Sequence, residues 1–197
     1  MLENFFAVPI YFYDSPDQER VKINQQIQTS YLDKVKKETR SFTTFNTSIQ
    51  NVIDYFSLTH MDKHARDHSM IYADKCGWTY SQMFVGRSWL EQRTHIKAFD
   101  TMIDAMIGGY GVGWDQIRGI YFVDGESGED GKLTFTHPQE PKGQNTFPFG
   151  NVYHSKVQYE VKAGRLILFP SWMDYYYAPF TAETYSRISI NFNITMR

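Results

Sequence analysis

The chain has 197 residues, with 20 Lys+Arg against 22 Asp+Glu, 42% hydrophobic and 17% aromatic residues, and one cysteine. This composition fits one folded domain and excludes disordered, collagen-like and disulfide-framed chains. A formal net charge of −2 offers no electrostatic footprint for nucleic acid or an anionic membrane surface, so neither is expected as a partner. No apolar run reaches the roughly 18 residues of a bilayer span, and Met1 to Phe6 lack a basic stretch leading into an apolar one, so neither leader nor anchor is expected. The 15 Phe, 14 Tyr and 4 Trp suit packed sheets and also interfaces, because large rigid rings bury much area at low entropy cost.

In chain order, residues 5–13 are apolar and aromatic and predict a short strand ending at Asp14, with Pro9 tolerable at an edge or bulge. Ser15, Pro16 and Gln18 form a capping box with proline at the first helical position, and Ile23, Ile27, Tyr31 and Val35 then recur every fourth residue. This predicts a helix to about Thr39, with Lys34, Lys36 and Lys37 complementing the dipole of its last turns. Helical pieces follow around residues 48–57, 60–75 and 90–107, with a strand near 79–85. After the glycines 108, 109, 111 and 113 the texture changes to strands at 117–123, 132–136, 152–161, 165–169 and 187–194. In the last of these, Ile188, Ile190, Phe192 and Ile194 alternate with Ser189, Asn191 and Asn193, the pattern of a half-buried strand. Short strands with turn signals between them indicate a sandwich or jelly roll rather than βαβ units.

Candidate chemistry is sparse. His60, His64 and His68 recur at spacing four and would form one stripe on a helix, competent for zinc or nickel. The flanking Asp62, Lys63, Arg66 and Asp67 make a solvated helix face the plainer reading. His95, His137 and His154 are isolated and read as surface or satisfied histidines. The glycines at 109, 111 and 113 lack the preceding strand and following helix of a phosphate loop, and Cys76 lacks a nucleophile motif, so both read as structural. No Gly-x-Ser-x-Gly elbow or His-Glu-x-x-His helix is present.

The C-terminal half contains Gly119-Ile-Tyr-Phe-Val123, Ser127-Gly128, Leu133-Thr-Phe-Thr-His-Pro138, Ala163-Gly-Arg-Leu-Ile-Leu-Phe-Pro-Ser-Trp172 and Arg187-Ile-Ser-Ile-Asn-Phe-Asn193. In that order these segments resemble the 2-oxoglutarate/Fe(II) oxygenases common in marine bacteria and their tailed phages. Phe6-x-x-Pro9-Ile10-Tyr11 matches the opening strand of that family; the likeness is weak between about residues 40 and 105. The resemblance implies an α+β protein: a double-stranded β-helix, or jelly roll, with N-terminal and mid-chain helices packed outside. One domain is expected over 1–197, helix-rich at 15–107 and strand-rich at 114–197. It also implies that Arg187 pairs with the distal carboxylate of 2-oxoglutarate, a bidentate contact suited to guanidinium.

The ligands that the resemblance would require depart from the pattern. Tyr175 stands where the distal histidine falls, and residues 108–118 contain no histidine and only one carboxylate, Asp115. These substitutions lead to the expectation of a catalytically inactive, oxygenase-like jelly roll without cofactor or metal. Its expected role is structural, in the neck or head-to-tail region of a tailed-phage virion, made in the host cytoplasm. Its partners would be other protein subunits in an oligomeric assembly, with Trp172, Tyr175, Tyr176 and Tyr177 as the interface. The alternative is a 2-oxoglutarate/Fe(II)-dependent hydroxylase with a rearranged metal site, drawing on Asp115, His137 or His154, in which Arg187 holds the cosubstrate. A third possibility is a metal-stapled module built on His60, His64 and His68.

Overall fold

The computed structural model describes residues 9–29, 42–45, 48–94, 115–125, 132–136, 156–177 and 186–197. Its strands, in chain order, are β1 (Tyr11–Asp14), β2 (Phe42–Thr43), β3 (Met83–Thr94), β4 (Asp115–Asp124), β5 (Leu133–Thr136), β6 (Lys156–Tyr159), β7 (Arg165–Pro170), β8 (Tyr175–Tyr177) and β9 (Ser186–Met196); its helices are α1 (Asp17–Ile27), α2 (Val52–Tyr55) and α3 (Thr59–Lys75). A six-stranded sheet runs β1-β7-β4-β9-β3-β2, and a three-stranded sheet runs β6-β5-β8. All the strand pairs in both are antiparallel. This is the α+β double-stranded β-helix that the resemblance implies.

The strand alternation sorts the side chains into two layers. On β9, Ile188, Ile190, Phe192 and Ile194 join Ile23 and Ile27 of α1 and Met61, Ala65 and Tyr72 of α3 in the core between the large sheet and the helices. On the opposite face, Ile120 and Phe122 of β4 and Ile167 and Phe169 of β7 meet Leu133, Phe135, Tyr175 and Tyr177 of the small sheet. A strand buried on both faces is the physical reason β7 reads as the continuous apolar run Leu166 to Phe169. Burying one such side chain contributes roughly 1.5–3 kcal/mol.

Several sequence expectations are corrected. Helix α1 begins at Asp17 after Pro16, and no side chain caps it. Ser15 instead anchors the entry through its backbone, its N–H donating to the Gly164 carbonyl at 3.0 Å. The α1 continuation through Tyr31 and Val35 lies outside the described residues. Residues 90–94 are strand where a helix was expected, because β3 pairs with β9 from Met83–Met196 to Thr94–Ser186, and long-range pairing overrides a weak local periodicity. Strand β8 was not anticipated, since three consecutive tyrosines carry no alternation. No described helix is long and apolar enough to cross a membrane.

Candidate functional site

Two polar clusters stand out, one on each face of the large sheet. The inner one lies between the sheets. Arg187, the second residue of β9, is fully buried, with its guanidinium 3.4 Å from the centroid of the Tyr177 ring. Glu91 of β3 reaches Arg187 at 3.7 Å and Arg93 at 3.5 Å, and is itself 4% exposed. Further along the same face, buried Arg118 of β4 donates from Nε to Asn193 Oδ1 at 3.3 Å and lies 5.8 Å from the Trp89 ring. Its Nη1 has no hydrogen-bond partner among the described residues, nor do Trp89 Nε1 and Asn191 Oδ1. A buried donor left without a partner costs about 1–3 kcal/mol, so Arg118 Nη1 and Trp89 Nε1 suit a guest that brings acceptor oxygens, whereas Asn191 Oδ1 is itself an acceptor and suits a donor.

The outer cluster lies under the helices. His64 and His68 occupy successive turns of the buried stripe of α3, which also carries Met61, Ala65 and Tyr72. That apolar company explains why the two histidines are buried rather than solvated, which corrects the plainer sequence reading. His60, one turn earlier, is exposed. Glu19 in the first turn of α1 completes the group: Glu19, His64 and His68 offer ligand atoms that all lie within 4.8 Å of one another.

Surrounding side chains hold these rings. His64 Nδ1 donates to Glu19 Oε1 at 3.0 Å, while Ser15 Oγ lies 3.5 Å from Nε2. The Tyr11 hydroxyl is 2.8 Å from His68 Nδ1, and Tyr13 donates to Glu19 Oε2 at 3.2 Å. The Tyr13 ring stacks on His68 with centroids 4.0 Å apart, and the Tyr121 ring meets His64 at 5.5 Å. Burial pushes the His68 imidazolium down to about 4, with the neighbouring His64 adding to the effect. Burial likewise lowers His64, against the opposing pull of Glu19. Both imidazoles are therefore neutral near pH 7, the form that binds a cation.

The other sequence candidates fall in varied places. Tyr175 and Tyr177 are core residues on the inner face, 5% and 1% exposed, and Tyr176 is half-buried, whereas Trp172 is 55% exposed. The expected aromatic interface is therefore corrected for Tyr175 and Tyr177: their alternation on β8 turns both rings into the space between the sheets. The histidines at 95, 137 and 154 and the side chain of Asp115 lie outside the described residues. Sequence reasoning missed Glu19, for which spacing gives no signal, because it meets His64 across 45 positions of the chain. Glu91 was missed for a similar reason, since it belongs to a segment with no clear period.

Comparison with known proteins gives the site its context. Residues 114–193 match the family profile described as "Putative 2OG-Fe(II) oxygenase". No curated protein matches the chain. Among solved structures, HygX from Streptomyces hygroscopicus, with nickel and 2-oxoglutarate bound, has a TM-score of 0.58 at 11% identity, covering 96% of this chain and 83% of that one. The non-heme alpha ketoglutarate dependent epimerase SnoN from nogalamycin biosynthesis has a TM-score of 0.55 at 11% identity, over 96% of this chain and 79% of that one. A Pseudomonas putida prolyl-4-hydroxylase has 0.50 at 10% identity, over 98% and 96%. At these identities the likeness is one of fold.

These findings overturn the expectation of an inactive virion scaffold without cofactor. The matched family is one of oxygenases and HygX was solved with metal and 2-oxoglutarate, which speaks against an inactive scaffold; separately, the Glu19, His64 and His68 donor set speaks against a chain without a metal site. Tyr175 and the histidine-free stretch 108–118 remain departures from the family pattern, while Arg187 keeps its place, fully buried over Tyr177 on the inner face. The strand-rich part of the chain, residues 114–193, thus matches the 2OG-Fe(II) oxygenase family on the double-stranded β-helix fold of solved 2-oxoglutarate-dependent proteins.

Proposed function

We propose that the protein is a 2-oxoglutarate/Fe(II)-dependent oxygenase with a rearranged metal site, in which Arg187 holds the cosubstrate. The observation that carries this reading is the fully buried Arg187 guanidinium, held against the Tyr177 ring on the first residues of the last strand and facing the space between the sheets. A planar cation in a water-poor space is matched to a carboxylate by a charge-assisted, bidentate contact, and the ring beneath it fixes its plane. Glu91 and Arg93 beside it set the orientation of the guanidinium through their shared ion pairs.

The inner face therefore suits 2-oxoglutarate. It offers no imidazole for iron among the described residues, because the described histidines all belong to α3. Asp115, His137 and His154 are the candidates for a rearranged set. Iron with 2-oxoglutarate and O2 supplies oxidative decarboxylation of the cosubstrate coupled to oxidation of a substrate. The part of this chain is to bind the dicarboxylate at Arg187, orient it on the Tyr177 side, and exclude water with the Phe122, Phe135 and Phe169 rings.

The test is turnover. The full chain with Fe(II), ascorbate and 2-oxoglutarate labelled at its C1 carboxylate is expected to release labelled CO2, and Arg187→Ala to release at most background. Release that is equal in the two proteins, or absent from both, refutes the reading.

A further inference from the structure

We propose that Glu19, His64 and His68 form a second divalent-metal site, separate from the oxygenase pocket, which takes a first-row transition cation such as Zn(II), Co(II) or Ni(II). This goes beyond the oxygenase reading and does not depend on it. The separation follows from the strands. Tyr121, which touches His64, lies on the helix-covered face of β4, whereas its neighbours Ile120 and Phe122 belong to the inner core. Arg187 is on that inner face over Tyr177, while Ile188 and Ile190 beside it pack under the helices. The large sheet thus stands between the Glu19–His64–His68 group and the cosubstrate pocket, and one ion cannot serve both.

The donor set is suited to such a cation. Two imidazoles four residues apart on one helix and a carboxylate from a second helix make a two-histidine, one-carboxylate group. Bonds of about 2.0–2.2 Å at angles between octahedral and tetrahedral place neighbouring ligand atoms about 3.0–3.5 Å apart. The Glu19 Oε1–His64 Nδ1 pair already stands at 3.0 Å, and no pair of ligand atoms exceeds 4.8 Å. Closing the widest pair requires small side-chain rotations only.

Binding has a simple proton balance. The cation takes the Nδ1 lone pair of His64 in the tautomer whose proton is on Nε2; that proton stays on the ring, and Nε2–H faces Ser15 Oγ at 3.5 Å as its hydrogen-bond acceptor. The Tyr11 hydroxyl, 2.8 Å from His68 Nδ1, fixes the orientation of that ring. Tyr13 holds the other oxygen of Glu19. Ligands fixed by such outer partners are the mark of a built site. Glu19, with its side chain 39% exposed, provides the route from solvent to histidines that are otherwise buried. A bound ion ties α1 to α3 and locks both beneath β1.

The experiment is a Co(II) titration of the metal-stripped full chain, followed by visible d–d absorption and by melting temperature, in wild type, Glu19→Gln, His68→Ala and Arg187→Ala. One equivalent is expected to bind at this site with a rise of several degrees in melting temperature. Binding should weaken about tenfold or more in Glu19→Gln, disappear in His68→Ala, and stay unchanged in Arg187→Ala. Glu19→Gln keeps shape and is partly exposed, so it remains informative if His68→Ala folds poorly. Addition of 2-oxoglutarate should leave the spectrum of this site unaltered. Absence of cobalt binding, undiminished binding in Glu19→Gln, or a His68-dependent cobalt signal that responds to Arg187→Ala or to 2-oxoglutarate overturns the proposal; a separate signal that survives His68→Ala and responds to 2-oxoglutarate belongs to the oxygenase pocket and leaves the proposal standing.

Discussion

Gly119 sits in the middle of β4, opposite Leu168 of β7 and Phe192 of β9. A methyl group placed on it would lie 2.1, 2.4 and 2.7 Å from Cζ, Cε2 and Cε1 of the Phe192 ring. Carbon atoms pack best at about 3.5–4.0 Å, so the ring has to retreat by more than about 1 Å. Phe192 is fully buried among Tyr121, Leu168, Ile190 and Ile194, and a close-packed core has no room for that retreat. Overpacking of this kind typically costs about 1–3 kcal/mol, and a rigid ring hit from the strand centre belongs at the upper end. At about 2–4 °C per kcal/mol for a chain of this size, Gly119→Ala is expected to melt about 6–12 °C lower. The sign is diagnostic, because relief of glycine backbone entropy alone would stabilise a strand interior by about 0.5–1 kcal/mol.

Urea unfolding of Gly119→Ala, Phe192→Ala and the double variant measures the coupling directly. Phe192→Ala alone should cost about 3–5 kcal/mol. The added methyl should then cost nothing further, giving a coupling energy of about 1–3 kcal/mol. A neutral or stabilising Gly119→Ala, or strictly additive costs, would refute the packing argument. Because Arg118 and Ile120 flank Gly119 on the inner face, the same variant should also weaken 2-oxoglutarate binding.

Further outcomes follow from single residues. Arg165 grips Asp14 at 2.6 and 2.9 Å and, with Lys162, holds its carboxyl down at about 2. Since the unfolded group titrates near 3.9, this contribution is complete above about pH 4 and is lost as pH falls through about 2. With the side chain 38% exposed, it amounts to about 1 kcal/mol or less. Melting curves of wild type and Asp14→Asn should differ by a constant above pH 4 and converge toward pH 2. Fully buried Ile190 is expected to cost about 2–5 kcal/mol as alanine, whereas Trp172, 55% exposed, should stay within about 0.5 kcal/mol; chemical denaturation of both variants checks the contrast. Arg187→Lys keeps the charge but loses the planar fork, so isothermal titration should read weaker 2-oxoglutarate binding than wild type, with the fold intact by circular dichroism.

The sheet was legible in the sequence where alternation is strict. The Ile188–Ile194 pattern and the Arg165–Phe169 run give β9 and β7 nearly residue for residue, because each is decided by which face is buried. The β3 segment was not legible, since Trp89, Glu91 and Arg93 on the inner face read as irregular polarity until β9 is paired beside them. Arg187 was found through a motif, and its burial is what gives that motif its physical content. The histidine stripe was visible as spacing. Its third donor was not, because Glu19 comes from α1 through the contact of two helices separated in the chain. The aromatic run at Tyr175–Tyr177 misled for a related reason: composition cannot tell a ring that packs between two sheets from one that waits for a partner.

The measurement that tests the account most directly is the melting temperature of the full chain under anaerobic conditions with Fe(II) and 2-oxoglutarate, in wild type, Arg187→Ala and His68→Ala. A cosubstrate at a hundredfold excess over its Kd adds about 2.7 kcal/mol, or about 5–10 °C in a chain of this length. 2-Oxoglutarate is expected to raise the melting temperature of wild type and of His68→Ala by that amount and to leave Arg187→Ala unchanged. A wild-type protein indifferent to 2-oxoglutarate, or an equal rise in Arg187→Ala, would contradict it.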